Sequence, residues 1–376
     1  MCTFSKVVPF IVQNRYERMC LYIKYLPIIV LAENLLEGFE NEKNPTFQGE
    51  VLGGKRGIRT PGTVTRTPHF ECGPFVHSGI FPTLDGAKVR LFFENKEKSR
   101  KKTLILPSIM KIAVVQMDIL AGEVEKNLAR AEQLIRSQPG ADVYLLPEMF
   151  ATGFDMDPMS CAEPEGGPTL RMMRRVAAEM NAAICGSVAT SVELFQFVNR
   201  LYFAEPDGSV THYDKRHLFS YSGEHLHYTV GAERVVVTFR DVRFLLEVCY
   251  DLRFPVWSRC REDYDVALYV ANWPVKRRFA WDTLLRARAI ENQCFVVGTN
   301  RVGCDALGCQ YDGGSALIGP YGETLAAPAE GKEEVAIADL DMAHLADFRT
   351  RFPSLVDADA FTVGNDDLMK EEKLKE

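Results

Sequence analysis

The chain lacks the marks of several common protein classes. None of its ten cysteines stands in a CxxC pair or in a Cys/His cluster spaced for zinc, which argues against a zinc finger or a thioredoxin-like centre. The Gly-rich turn that holds Cys304 and Cys309 reads as a plain loop. No GxxxxGK followed by Ser or Thr occurs, and no glycine cluster follows a strand as a phosphate-binding turn. Long apolar runs are missing as well. The most apolar stretch near the N-terminus, residues 20–36, is broken by Lys24 and Pro27, short of the ~20 residues a membrane span needs. No basic start with an apolar run and a small-residue cleavage site signals export. A membrane partner is not expected.

What is present is the balance of a soluble globular protein: 376 residues, 47% hydrophobic and 25% charged, enough to bury a core without disulfides. Reduced thiols in a cytoplasmic setting are the matching expectation. The net charge of −7 is unevenly spread. Residues 1–109 carry 16 Lys/Arg against 10 Asp/Glu, so the acidic excess lies in the remainder. An acidic body and a basic segment without a DNA-reading motif make nucleic acid an unexpected partner.

Residues 44–82 lose any helical or strand period and read as disordered, and KEKSRKK at 96–102 is a solvated charge run. Met110 then opens MKIAVVQMD, a clean strand and a candidate translation start. Residues 1–109 are expected to be no domain. Either the start has been placed too early, as GIRTPGTVTRTP resembles translated noncoding DNA, or a disordered basic extension precedes the domain. The domain is expected at 110–355, with a charged tail at 356–376.

Within the domain, 112–117 is a strand by its β-branched apolar run, and 123–138 a helix with Val124, Leu128, Ala131 and Ile135 on one face. ADVYLLPE supplies a second strand, a helix at 169–181 puts Leu170, Met173, Val176 and Met180 inward, and AAICGSVAT is a third strand. Hairpins turn at Pro206-Asp207-Gly208 and near Asp241. YDVALYVANW, a helix at 277–293 and CFVVGTNRVG complete a mixed α/β pattern of sheet layered with helices.

Three polar residues stand where apolar strands end: Glu148 after VYLLP, Lys215 after VTHYD and Cys249 after FLLEV. Strand ends are where layered α/β proteins gather function. A thiol of ordinary pKa is mostly protonated at neutral pH, so a nucleophilic cysteine needs a base and a nearby cation. Glu148 and Lys215 are the right types; among nearby histidines, His212, His217, His225 and His227, none is required. Glu247, two residues before Cys249 and aimed to the same side by period-2 alternation, is expected to be a surface charge at the strand end, the alternative being a perturber of the site.

LLPEMFATGF, YDKRHLF, GEHLHYTVG, CYDLRFPVWSR, ANWP and RARAIENQCFVVGTNRVG together resemble the nitrilase superfamily and, within it, the ω-amidase branch. The resemblance covers roughly residues 111–353. It implies an αββα four-layer sandwich that dimerises through the helices flanking its sheets. It implies a catalytic triad of Glu148, Lys215 and Cys249, with Glu224 in support and no metal or other cofactor. The implied reaction is attack by Cys249 on a small amide, with Glu148 moving protons and Lys215 and the Tyr250 backbone N–H holding the oxyanion. Around the rim, Phe154 and Trp273 are expected as an apolar wall, and Arg277 or Arg278 as a receiver for a substrate carboxylate. The ω-amidase branch acts on the terminal amide of 2-oxo acids such as 2-oxoglutaramate. The alternatives are a nitrilase or N-carbamoyl amidohydrolase using the same residues, and a catalytically silent partner-binding protein of this fold.

Overall fold

The computed structural model describes residues 9–14, 17–22 and 109–363. The chain divides into two units, Met1–Lys102 and Thr103–Glu376. In the first, strands β1 (Pro9–Asn14) and β2 (Glu17–Tyr22) pair antiparallel. The segments 44–82 and 96–102, read above as disordered and as a charge run, lie outside the described residues, as do 364–376.

The second unit continues with β3 (Ile109–Gln116), β4 (Val143–Leu145), β5 (Glu163–Pro164), β6 (Ala183–Glu193), β7 (Gln196–Ala204) and β8 (Val210–Asp214). There follow β9 (Val236–Phe239), β10 (Val242–Val248), β11 (Val266–Ala271), β12 (Phe295–Asn300), β13 (Val302–Cys304), β14 (Gln310–Asp312), β15 (Ala316–Ile318), β16 (Thr324–Ala326) and β17 (Glu334–Asp341). They form two principal sheets, one in the order β17-β3-β4-β6-β7-β8 with β5 beside β6, the other in the order β16-β15-β12-β11-β10-β9. Each has a parallel centre, β3-β4-β6 or β10-β11-β12, flanked by antiparallel strands. Cys304 and Cys309 belong to the small β13–β14 hairpin region and are unpaired.

Period-2 alternation assigns the faces. Ile112 and Val114 of β3 join Val143, Leu145, Phe203, Phe244 and Leu246 in the core shared by both sheets. The intervening Ala113 and Val115 meet Ala131, Ile135, Met173 and Val176 from the helices Val124–Ser137 and Pro168–Met180. On the second sheet, helix Arg278–Asn292 lays Trp281 and Leu285 against Gly298 of β12, where an added Cβ would come within 2.7 Å of Leu285. The result is the αββα four-layer sandwich. Each buried aliphatic or aromatic side chain contributes about 1.5–3 kcal/mol, so the layers hold without covalent staples.

The expected helices appear with ends moved by a residue or so. In Val124–Ser137 the buried positions are Asn127, Ala131, Leu134 and Ile135, while Val124 and Leu128 are only partly covered. Asn127 is inside because its carboxamide grips the carbonyls of Leu120 (2.7 Å) and Ala151 (2.8 Å). The β9–β10 hairpin turns on Arg240 and Asp241, both left-handed (φ 47° and 63°), the conformation a two-residue turn needs to match strand twist. No helix among the described residues is long and apolar enough to cross a membrane.

Candidate active site

The parallel strands bring their C-terminal ends to one rim, and the expected residues follow those ends. Glu148 stands after β4, just before Met149, whose left-handed backbone (φ 44°) is tied by its N–H donating to Ser187 Oγ at 3.0 Å. Lys215 follows β8, and its own N–H donates to the Asn199 carbonyl at 3.0 Å. Gly231 donates to the Lys215 carbonyl at 2.9 Å, and a Cβ there would fall 1.9 Å from the Asp214 carbonyl oxygen, so only glycine allows this approach. Cys249 opens the 3₁₀ turn Cys249–Arg253 with φ 46°, a strained left-handed start for a non-glycine residue.

Three of the named side chains meet directly. Lys215 Nζ donates to Glu148 Oε1 at 2.8 Å and to both oxygens of Glu224 at 3.0 Å. All three are fully buried, so two carboxylates share one ammonium away from water. Phe154 lies beneath that ammonium, 5.4 Å from Nζ to the ring centre. Burial works to strip the proton from Lys215, but the Glu148 and Glu224 charges outweigh it and hold the amine above its ordinary pKa. Burial pushes the Glu224 carboxyl up, against the pull of Lys215. The Cys249 thiol is driven well above its usual value, first by burial and then by the negative charge of Glu148, with Lys215 opposing. Burial at Cys249 thus favours the neutral thiol.

The lone pairs of Glu148 can be counted. Oε1 accepts from Lys215 Nζ and from Asn199 Nδ2 (2.8 Å); Oε2 accepts from the backbone N–H of Asn272 (2.9 Å). A carboxylate has about four acceptor positions, so one remains, on Oε2. The Asn272 carboxamide also donates to the Glu148 carbonyl at 2.8 Å.

Asp251 ties the Cys249 turn to the Lys215 segment. Its Oδ2 accepts from the Val248 N–H (2.9 Å) and Tyr213 Oη (2.8 Å), and its Oδ1 from the His217 N–H at 2.9 Å. The His217 ring lies with Nδ1 at 2.7 Å from the same Oδ1 and stacks on Phe254 at 3.8 Å between centroids. Tyr213 Oη in turn accepts from Trp257 Nε1 (3.1 Å) and the Arg216 N–H (3.1 Å).

Glu247 departs from the expected surface position. It is fully buried, not a surface charge, because helix Pro255–Ser258 folds back over the end of β10 and Ser258 Oγ donates to its Oε2 at 2.9 Å. Burial, then the nearby Asp251 charge, pushes its carboxyl up to about 8.

The rim residues divide. Arg278 is committed to Asp282 (2.8 Å) and Asp312 (3.1 Å). Arg277 has its guanidinium over the Phe219 ring at 5.1 Å, and Phe219 meets the Tyr250 ring edge at 5.0 Å. Trp273 is almost wholly buried against Trp281, with its indole N–H donating to the Arg277 carbonyl at 2.8 Å. Arg253, which sequence reasoning passed over, covers the Trp273 ring at 4.9 Å. Asn199, Asn272 and Asp251 were passed over too. The one signal for Asn199 was a polar residue inside the apolar strand FVNRLYF. A separate cavity of about 340 Å³, lined by Pro255, Val256, Arg259, Glu291 and Phe361 among others, is not lined by Glu148, Lys215 or Cys249.

Residues 111–350 match the sequence profile described as carbon-nitrogen hydrolase. The chain belongs to the carbon-nitrogen hydrolase family. Among its relatives in that family is the omega-amidase YafV of Escherichia coli (strain K12), 46% identical over 252 residues, covering 67% of this chain and 98% of that one. The 2-oxoglutaramate amidase of Bacillus subtilis (strain 168) is 34% identical over 250 residues, covering 64% of this chain and 95% of its own. A carbon-nitrogen hydrolase superfamily protein of Xanthomonas campestris, whose crystal structure holds an arsenic adduct in the active site, is 42% identical with a TM-score of 0.66. That likeness covers 68% of this chain and 99% of the other. The carbon-nitrogen hydrolase resemblance read from the sequence motifs, with its ω-amidase branch and its sandwich fold, agrees with these findings.

Proposed function

We propose that this carbon-nitrogen hydrolase is an amidase that cleaves the terminal amide of a small 2-oxo dicarboxylate monoamide of the 2-oxoglutaramate type, yielding acid and ammonia. The observation that carries the reading is the buried contact of Lys215 with Glu148 and Glu224 beside the buried Cys249 thiol. The relatives named for omega-amidase and 2-oxoglutaramate amidase activity supply the substrate class.

In the proposed mechanism Glu148 Oε2 takes the Cys249 proton on its remaining lone pair as sulfur attacks the amide carbonyl. Charge developing on the carbonyl oxygen is met by the Lys215 ammonium and the Tyr250 backbone N–H. The C–N bond breaks as Glu148 returns the proton to nitrogen, releasing ammonia and leaving a thioester on Cys249. Water then gives a proton to Glu148, supported by Glu224, and its oxygen displaces sulfur, which recovers the proton. Burial serves this sequence because fixed donors act most strongly where water is excluded.

Arg277 is the proposed anchor for the substrate carboxylate, since among the described residues it shows no carboxylate partner and leans on Phe219 beside Tyr250, whereas Arg278 is already engaged. Phe154 and Trp273 are the proposed apolar wall. A homodimer in the cytoplasm completes the proposal; helix Arg278–Asn292 leaves Phe279 (84%) and Ile290 (55%) exposed, an apolar surface suited to a second copy.

The test is ammonia release from 2-oxoglutaramate, glutamine and a simple nitrile, each beside Cys249→Ala. Release from 2-oxoglutaramate alone, lost in the variant, is expected. Turnover of the nitrile, or activity surviving in Cys249→Ala, would overturn the assignment.

A further inference from the structure

Asn199 sits fully buried in the middle of β7, where a strand between two covered faces would ordinarily carry an apolar side chain. Its Nδ2 donates to Glu148 Oε1 at 2.8 Å and to Glu224 Oε1 at 3.3 Å. Two carboxylate oxygens facing that atom identify it as the amide nitrogen, since an oxygen there would be repelled. Its Oδ1 is buried without a hydrogen-bond partner, so the carboxamide is kept for what its N–H groups do, at the cost of a stranded acceptor.

We propose that Asn199 is a positioning residue for Glu148. The carboxamide adds a second bridge between the two carboxylates that Lys215 alone would have to neutralise. It fills the remaining lone pair of Oε1 and so leaves proton transfer to Oε2, the oxygen aligned by the Asn272 N–H. The inference rests on Glu148 acting as the base. The groups facing Glu148 are Lys215 after β8, Glu224 in the turn Glu224–Leu226, Cys249 after β10 and the neutral donors of Asn199 and Asn272. Removing one neutral donor from this set disfavours the carboxylate form.

The experiment is the pH profile of kcat/KM for 2-oxoglutaramate in the full chain and in Asn199→Leu, with KM, kcat and Tm measured beside it. The expected result is an acidic limb moved upward by about one pH unit, hence activity about tenfold lower on the acid side. Activity near that of the parent should return at higher pH, with KM changed less than about twofold because the Asn199 amide nitrogen is committed to Glu148 and Glu224. A loss by the same factor at every pH would show a merely structural role and overturn the proposal, as would an unmoved limb. If Asn199→Leu shows no folding transition, Asn199→Ser carries the same test: its limb moves in the same direction, or the proposal falls. Glu148→Gln and Cys249→Ala run alongside. Turnover surviving in either sinks the base and nucleophile assignment itself, whereas turnover dependent on both with an unmoved limb sinks only the role of Asn199.

Discussion

Asn272 holds Glu148 twice, through its backbone N–H to Oε2 at 2.9 Å and through its carboxamide to the Glu148 carbonyl at 2.8 Å. The two residues follow strands of different sheets, β11 and β4, so the candidate base is aimed by the packing of one sheet on the other. Asn272→Asp would set an acceptor against that carbonyl and a third carboxylate beside the cluster. We expect kcat to fall about 100-fold, the usual consequence of a misplacement near 1 Å, with the backbone contact still present. Steady-state kinetics check this; an unchanged kcat refutes it.

Lys215→Met leaves Glu148 and Glu224 buried without their shared cation. Breaking a buried ion pair from one side costs about 3–5 kcal/mol, so a large drop in denaturant midpoint is expected along with loss of turnover. Stranded carboxylates favour their protonated forms, and the variant should therefore recover part of its stability on acidification. Urea unfolding across pH 5–8 reads this out.

Asp251→Asn must turn an N–H₂ group toward either the Val248 and Tyr213 donors or the two His217 contacts. The first choice frees the Val248 N–H at the start of the Cys249 turn, and the second frees the His217 end of the Lys215 segment. A fall in kcat of roughly ten- to a hundredfold is expected with KM little changed, because both Asp251 oxygens are already engaged by Val248, Tyr213 and His217. A change confined to KM would contradict the assignment.

Glu247 gives a pH signature of stability. Its folded carboxyl is raised from 4.5 to about 8, so between those values the folded chain keeps a proton that the unfolded chain releases. Its contribution is therefore complete below the unfolded value and is lost as pH climbs through the folded one, with a slope of at most about 1.4 kcal/mol per pH unit. Glu247→Gln cannot ionise and still accepts from Ser258, so its stability should decline less over this window. Parallel slopes for parent and variant would disprove the shift.

Much of the fold was legible because strands and helices are written in short-range periodicity. The alternation in 112–117 and the stripe around Ala131 and Ile135 express local geometry. Glu148, Lys215 and Cys249 could be singled out because each ends an apolar run. Glu247 was misread because alternation says which way a side chain points and not what folds back over it; Ser258, in the next short helix, does the covering. Arg277 and Arg278 looked equivalent as neighbours, and only Asp282 and Asp312 separate them.

The amino-acid sequence by itself determined the alternation of strands and helices, the order of the three chemically distinctive residues and the family motifs around them, all properties of residues near one another in the chain. The tertiary structure alone decided how those residues become one cluster. Asn199 reaches Glu148 across 51 positions, Lys215 across 67 and Asn272 across 124. Contacts at that separation depend on which strands become neighbours and on how two sheets stack, and local periodicity carries no record of either.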